Sequence, residues 1–390
     1  MTNAPTISYF VFLIFAGAAM LSTFALFTRQ SLLIAYMALG AILGPWGFRL
    51  INNSVTINQA GDIGIIFLLF LLGLHLHPQS LFHSLRKMSR ITFASSLIFW
   101  AIGFLIGWLF HFNLQECIII GIAMMFSSTI IGIKLLPTTI LHHQHTGELL
   151  ISILLLQDLI AIFALLGLQG IGDHAFSMMH LFYVIGAFPI LLILTYTIQR
   201  FIISKLIARF DKIHEYIFIL SIGWCLFVAE LAKGLGLSTE IGAFIGGVVL
   251  ATNPISFYIA ESLKPVRDFF LVLFFFAVGA EFNFDYLSSV IIPGSALAAL
   301  ILLIKPIVFS RLLHRYGEIK SVSWEIGVRL GQSSEFSLLV IYLASATNII
   351  SANASYMVQT ATILTFIVSC YWVGMRYPTP LAASDKLRRD

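Results

Sequence analysis

Charge is what this 390-residue sequence has least of. Only 10% of its residues are Asp, Glu, Lys or Arg, against about 25% in an ordinary soluble domain. That excludes a soluble enzyme and a disordered chain. The 22 Lys and Arg residues are too few and too scattered for a phosphate-binding face, so nucleic acid is excluded as a partner. Cysteine is equally sparse. Cys117, Cys225 and Cys370 lie far apart in apolar runs and form no zinc spacing and no disulfide framework. HExxH and GxSxG with a partner histidine are absent, as is a TVGYG-like filter. No enzyme chemistry and no cofactor are expected.

What the sequence does have is apolar length. Hydrophobic residues make up 59% of the chain. They fall in long runs rather than in the alternating segments of about ten residues that a β-barrel needs. The chain therefore reads as an all-α polytopic membrane protein. A helix needs about 20 apolar residues to cross the hydrocarbon core. About thirteen candidate spans follow, at 7–27, 31–48, 60–76, 91–111, 115–137, 148–170, 178–198, 214–234, 238–253, 266–282, 288–310, 323–346 and 356–376. The first has no positively charged start and no clear cleavage site, so it reads as a retained span.

The basic residues sort by side. With the N-terminus outside, inside loops and the tail receive nearly all of them, including Arg86, Lys87, Arg90, Arg200, Lys205, Arg209 and Lys212. The outside connections hold only Arg49 and Lys233. Such a bias orients the chain N-terminus out and C-terminus in, across a cell's inner (cytoplasmic) membrane.

Two spans carry polar clusters at mid-depth. The fifth reads GIAMMFSSTIIGIKLLP, with Ser127, Ser128 and Thr129; the twelfth reads GVRLGQSSEFSLLVIYLA, with Gln332, Ser333, Ser334 and Glu335. They lie seven spans apart, and an odd offset gives them opposite orientation. Paired interrupted helices in inverted repeats mark a transporter's binding site. Continuous helices with Ser/Thr side chains bonded back to their own carbonyls are the alternative.

The sixth span, LLISILLLQDLIAIFALLGLQ, places Asp158 at its centre with only Leu154, Leu155, Ala161 and Ile162 as helical neighbours. A carboxylate at bilayer centre costs about 2.5–3.5 kcal/mol even on the mild insertion scale. Asp158 must meet water, a cation or a partner from another helix. Gln157 points about 100° around the helix and can line the same cavity. Lys305, in LAALILLIKPIVF, either snorkels to the inner surface or sits packed beside the irregularity of Pro306. Glu335 either pairs with Arg329, caps the broken helix or touches the ion path. The His142, His143 and His145 cluster reads as a solvated loop, with a metal or pH site as the alternative. GxxxG occurs at Gly40–Gly44 and Gly242–Gly246, where close helix packing is the simpler reading than a dimer seam.

At this point the sequence resembles a known family. YMALGAILGPWGF, IGIIFLLFLLGLHL, FSSTIIGIKLL, TGELLISILLLQDLIAI, GLSTEIGAFIGGVVLA, KPVRDFFLVLFFFAVGAEF and GQSSEFSLLVIYLA occur in order along nearly the whole chain. Together they are similar to the second family of monovalent cation:proton antiporters, most closely its Kef-type potassium efflux branch. The Gln157–Asp158 pair resembles the potassium-type variant; sodium-type relatives more often carry two acids there.

The resemblance implies a sodium/proton antiporter fold in which two interrupted helices cross beside Asp158. It implies a core unit at about 91–170 and 288–376. A dimerisation unit would span about 7–76 and 214–282, with a linker helix at 178–198. It implies that Asp158 binds cation and proton in turn, that Lys305 is the core lysine, and that Ser127, Ser128, Thr129 and Glu335 fall at the crossover, with Ser333 and Ser334 beside them. The partners would be K+ or Na+ and H+, the bilayer, and a second copy in a homodimer. Two departures stand out. His75 and His77 occupy places where the family usually has acids. No GxGxxG follows the last span, and about fourteen residues remain, so either the member is membrane-only or a cytosolic regulatory domain is separate or truncated. The function expected is exchange of one cation, K+ before Na+, for one proton by alternating access. A cation channel or leak and a same-fold symporter for an organic anion are the rivals.

Overall fold

The computed structural model describes residues 7–28, 30–51, 53–75, 78–134, 145–169, 178–210, 212–253 and 255–378. His77, His142 and His143 lie outside them. The described residues are helical and contain no strand. Eight helices among them are long and apolar enough to cross a membrane, and the apolar helices Leu32–Leu43, Leu114–Met124, Thr239–Leu250 and Glu335–Ala346 are shorter. The chain is thus a multi-pass membrane protein.

In order, the helices are α1 (Ile7–Phe27), α2 (Leu32–Leu43), α3 (Ser54–His75), α4 (Pro78–Leu109), α5 (Leu114–Met124), α6 (Thr129–Lys134) and α7 (His145–Gln169). Then come α8 (Met178–Ile198), a π turn at Gln199–Ile203, α9 (Ser204–Phe210), α10 (His214–Gly234), α11 (Thr239–Leu250), α12 (Ser256–Ser262) and α13 (Lys264–Ala280). The last four are α14 (Leu287–Arg315), α15 (Lys320–Arg329), α16 (Glu335–Ala346) and α17 (Ala352–Arg376). The expected fifth span is two helices, α5 and α6, and the expected twelfth is α15 and α16. The reading of continuous back-bonded helices fails at both places.

The starts of several helices are written in the sequence. Asn113 and Glu116 form a reciprocal capping box at α5, Ser238 caps α11, Ser334 and Ser337 form a second box at α16, and Ser351 caps α17. Each satisfies backbone N–H groups that the first turn of a helix leaves without an intrahelical partner.

Contacts divide the chain into two compact units. The first comprises Met1–Ile51, His83–Leu168 and Val278–Asp390. Its apolar centre joins α4, α7, α14 and α15 through Phe99, Leu150, Ile153, Phe309 and Ile326, all fully buried. Phe99 meets Phe309 edge to face at 5.2 Å. Close backbone approach fixes one seam: a Cβ on Gly327 of α15 would stand 2.5 Å from the Pro306 carbonyl of α14. That contact holds the start of the second break beside Lys305.

The second unit comprises Asn52–Phe82 and Gln169–Ala277. α11 packs on α3 so closely that a Cβ on Gly247 would meet the Phe70 carbonyl at 2.0 Å. Gly242 and Gly246 face Val228 of α10, and the Trp224 indole donates to the Gly246 carbonyl at 3.0 Å. This GxxxG pair is therefore an internal helix seam.

Candidate functional site

The two breaks lie against each other inside the first unit. Between α5 and α6 the chain leaves the helix through Phe126, Ser127 and Ser128; between α15 and α16 it passes through Leu330 to Ser334. Ser127 donates its hydroxyl to the Leu330 carbonyl at 2.8 Å, joining the second half of one pair to the first half of the other. The complementary contact is equally direct. Ser337 of α16 donates to the Ala123 carbonyl near the end of α5, and Ser333 Oγ lies 3.7 Å from Met124 Sδ. The start of α16 thus lies against the end of α5, and the first break lies against the end of α15.

Four half-helix ends meet here, and their dipoles set the electrostatics. The ends of α5 and α15 present carbonyls and partial negative charge; the starts of α6 and α16 present N–H groups and partial positive charge. The side chains match that pattern. Lys305, fully buried on α14, donates to the Phe126 carbonyl and to the Gln332 carbonyl at 3.1 Å, with Ser127 Oγ at 3.4 Å. One ammonium therefore serves both negative ends. It also stands 5.1 Å from the centre of the Phe99 ring. The snorkelling alternative is overturned.

Asp158 faces the positive start of α6. It is fully buried, and Thr129, the first residue of α6, donates its hydroxyl to both carboxylate oxygens at 3.1 and 3.0 Å. A carboxylate offers about four lone-pair sites, and one hydroxyl has one proton to give. Among the described residues Asp158 has no other hydrogen-bond donor, and no basic group lies within ion-pair distance. Glu335, the first residue of α16, lies within electrostatic reach of Asp158. Two acids thus stand at the two positive ends, and the lysine joins the two negative ones.

Gln157 works on the break itself. Its Oε1 accepts from the Ser127 N–H at 3.0 Å and its Nε2 donates to the Met125 carbonyl at 3.2 Å. It replaces backbone bonds that the interruption removes. Ser128 Oγ accepts from the Ile131 N–H at 3.1 Å, and Ser334 Oγ accepts from the Phe336 N–H at 3.1 Å. Arg329 pairs with Glu325 at 2.9 Å and lies 5.4 Å from the Tyr377 ring centre.

Sequence reasoning found the span of α17 but not its part in the site. Thr365 Oγ1 accepts from the Ser333 N–H at 3.1 Å, and Ser369 donates to Gln332 Oε1 at 2.9 Å. A signal was present: Ser355, Gln359, Thr362, Thr365 and Ser369 recur at helical spacing through an apolar span, and all are buried. His145 lies at the start of α7, half exposed, with Nε2 2.9 Å from Glu318 Oε2. Among the described residues no cluster suits a metal.

Paired broken helices beside a buried carboxylate are the arrangement of a membrane fold built on inverted repeats. The chain belongs to the sodium/hydrogen exchanger family, whose transmembrane region matches residues 11–375. It is 26% identical over 354 residues to K(+) efflux antiporter 4 of Arabidopsis thaliana, a match covering 87% of this chain and 59% of that protein. It is 26% identical over 359 residues to K(+) efflux antiporter 5 of the same plant, covering 87% and 61%. The chain thus spans about three fifths of the length of these curated relatives. Its fold is similar to that of the sodium proton antiporter MjNhaP1 from Methanocaldococcus jannaschii, with a TM-score of 0.68 and 19% identity over 93% of this chain and 94% of that one. The resemblance to Kef-type cation:proton antiporters holds.

Proposed function

We propose that the chain exchanges a monovalent cation for a proton by alternating access, with Asp158 carrying each in turn. The observation behind this reading is the Asp158 carboxylate: buried, anchored by the Thr129 hydroxyl, and without a basic partner among the described residues, while the buried Lys305 is spent on carbonyls. A bare charge in that position is costly. A proton removes the cost, and so does a cation. Loaded with either, the site can cross; empty, it cannot. That asymmetry makes exchange obligatory, and one such acid makes one cation per proton the simplest ratio.

The oxygens that replace a cation's water shell come from Asp158, Thr129, Ser127, Ser128 and the second break at Ser333, Ser334 and Glu335. Gln157 holds the first break in shape, and Lys305 holds both. Potassium is favoured over sodium because Gln157 stands where sodium-type relatives carry a second acid, and because the matched plant relatives are named K(+) efflux antiporters. The working form is a homodimer in the cytoplasmic membrane, N-terminus outside and C-terminus inside. Residues of about 91–170 and 288–376 act as the moving core, about 7–76 and 214–282 as the dimerisation part, and 178–198 as the linker.

The test is direct. Protein is reconstituted into liposomes with an acidic lumen and a pH dye, and K+ or Na+ is added with the membrane potential clamped at zero. Exchange gives cation-dependent dequenching under that clamp. Proton movement that requires a potential would indicate a channel or leak and overturn the reading.

A further inference from the structure

The second unit carries a cavity that the transport reading does not use. It lies where α8 passes through the π turn into α9, has a volume of about 540 Å³, and is lined in part by Tyr196, Gln199, Arg200, Ser204, Thr252 and Asn253. A π turn inside an α-helix is rare and concentrates at functional sites. Here it brings Gln199 and Arg200 to the same wall as Ser204.

The lining is rich in donors. The Gln199 and Asn253 amides, both more than nine-tenths buried, donate to Ser204 Oγ at 3.0 and 3.3 Å. With its oxygen receiving two donors, the Ser204 hydroxyl has its own proton to give. Arg200 donates to the Tyr196 hydroxyl at 3.1 Å, which leaves the phenol proton and most of the guanidinium donors available. Among the described residues Arg200 has no carboxylate within ion-pair distance, and no acidic residue lines the cavity. A positive charge with converging hydroxyl and amide protons fits an anion with several acceptor oxygens, such as a phosphate.

The neighbouring face of the same segment is different. Ile198 and Ile203, with Ile219, Leu220, Trp224 and Phe227 of α10, line an apolar groove of about 380 Å³. A donor-lined pocket that holds Arg200 beside an apolar groove, in a segment that carries Arg200, Lys205, Arg209 and Lys212, matches one class of molecule. We infer that this site binds an anionic phospholipid of the cytosolic leaflet, its phosphate against Arg200, Tyr196 and Ser204 and an acyl chain in the groove. It goes beyond the exchange reading and does not depend on it.

The test is native mass spectrometry of the full chain in detergent, titrated separately with phosphatidylglycerol, phosphatidylcholine and inorganic phosphate. Phosphatidylglycerol should bind in preference to phosphatidylcholine, and Arg200→Gln should weaken it by about fivefold. Gly223→Leu fills the groove; an added Cβ there meets nothing within 4 Å, so the variant should fold. It should weaken both lipids. Equal binding of the two lipids, full occupancy by inorganic phosphate in competition with lipid, or lipid binding unchanged in Gly223→Leu would each overturn the assignment. Should Arg200→Gln fail to fold, Tyr196→Phe with Ser204→Ala removes two donors and decides the same point.

Discussion

Lys305 and Asp158 serve the same helix break from opposite poles. The lysine takes the Phe126 carbonyl, just past the end of α5, while the carboxylate takes the hydroxyl of Thr129, which begins α6. Only Ser127 and Ser128 lie between the residue that holds the cationic side chain and the residue that holds the anionic one. The two groups therefore need no ion pair with each other: the half-helix ends supply each with its opposite partial charge. This arrangement leaves Asp158 available for a mobile charge while keeping the break rigid.

Asp158→Asn should abolish exchange and leave the fold intact. The amide keeps the shape, accepts from Thr129 through its oxygen, and removes a buried charge that has no basic partner among the described residues, so stability should hold or rise. Normal turnover in reconstituted vesicles would take Asp158 out of the mechanism. Loss of the folded protein in detergent would make it a structural residue instead.

Thr129 is the described donor to that carboxylate, so its removal should be felt in the charged state. Hydrogen bonds to charged groups contribute about 1.5–3 kcal/mol, so Thr129→Val should raise the half-saturating cation concentration by about tenfold or more. Thr129→Ser keeps the hydroxyl and should stay near the parent. A Val variant indistinguishable from the Ser variant would show that the hydroxyl contributes nothing to the site.

Lys305→Met tests the other pole. It strands two buried carbonyls, and each unsatisfied polar group costs about 1–3 kcal/mol. Relief of the ammonium's own desolvation offsets part of that loss. The net expectation is a thermal midpoint lowered by several degrees in detergent, with transport reduced in proportion to folded protein. A variant as stable as the parent would show that the breaks hold themselves together without the lysine.

How much of this was legible in the sequence follows from what periodicity can carry. The breaks were legible because Ser-Ser-Thr and Gln-Ser-Ser-Glu interrupt long apolar runs. Asp158 and Lys305 were legible because charge in such runs is costly. Partners were not. Lys305 meets Phe126 across 179 positions and Ser127 meets Leu330 across 203, and nothing local in either segment encodes the other. Gln157 shows the same limit. Its place beside Asp158 suggested a shared cavity, whereas the turn of the helix aims it at the backbone of Ser127 and Met125. The buried Ser and Thr residues of α17 had the right spacing, but only packing reveals that they support Ser333 and Gln332.

Orientation can be checked without transport. A cysteine placed by Asp285→Cys should react with a membrane-impermeant reagent in intact cells, and one placed by Lys205→Cys only after permeabilisation. The reverse pattern would invert the topology drawn from the positive charges.

Proton and cation competing for one carboxylate is the sharpest consequence of the geometry. If both use Asp158, each must weaken the other's binding by the same factor. Below the pH at which the site half-titrates, protons occupy it, and apparent cation affinity should fall by about tenfold for each further pH unit. Above that pH the affinity should level off, because the carboxylate is already free. Turnover should fall again at high pH, since the returning site waits for a proton. Rate against pH is then bell-shaped, with an acid limb that moves to lower pH as cation concentration rises and an alkaline limb that does not. A channel has no reason to show that coupling. The measurement is the half-saturating concentration of K+ and of Na+ at several pH values, with equal pH on both sides of the vesicle. If that concentration is independent of pH for both ions, proton and cation do not share Asp158.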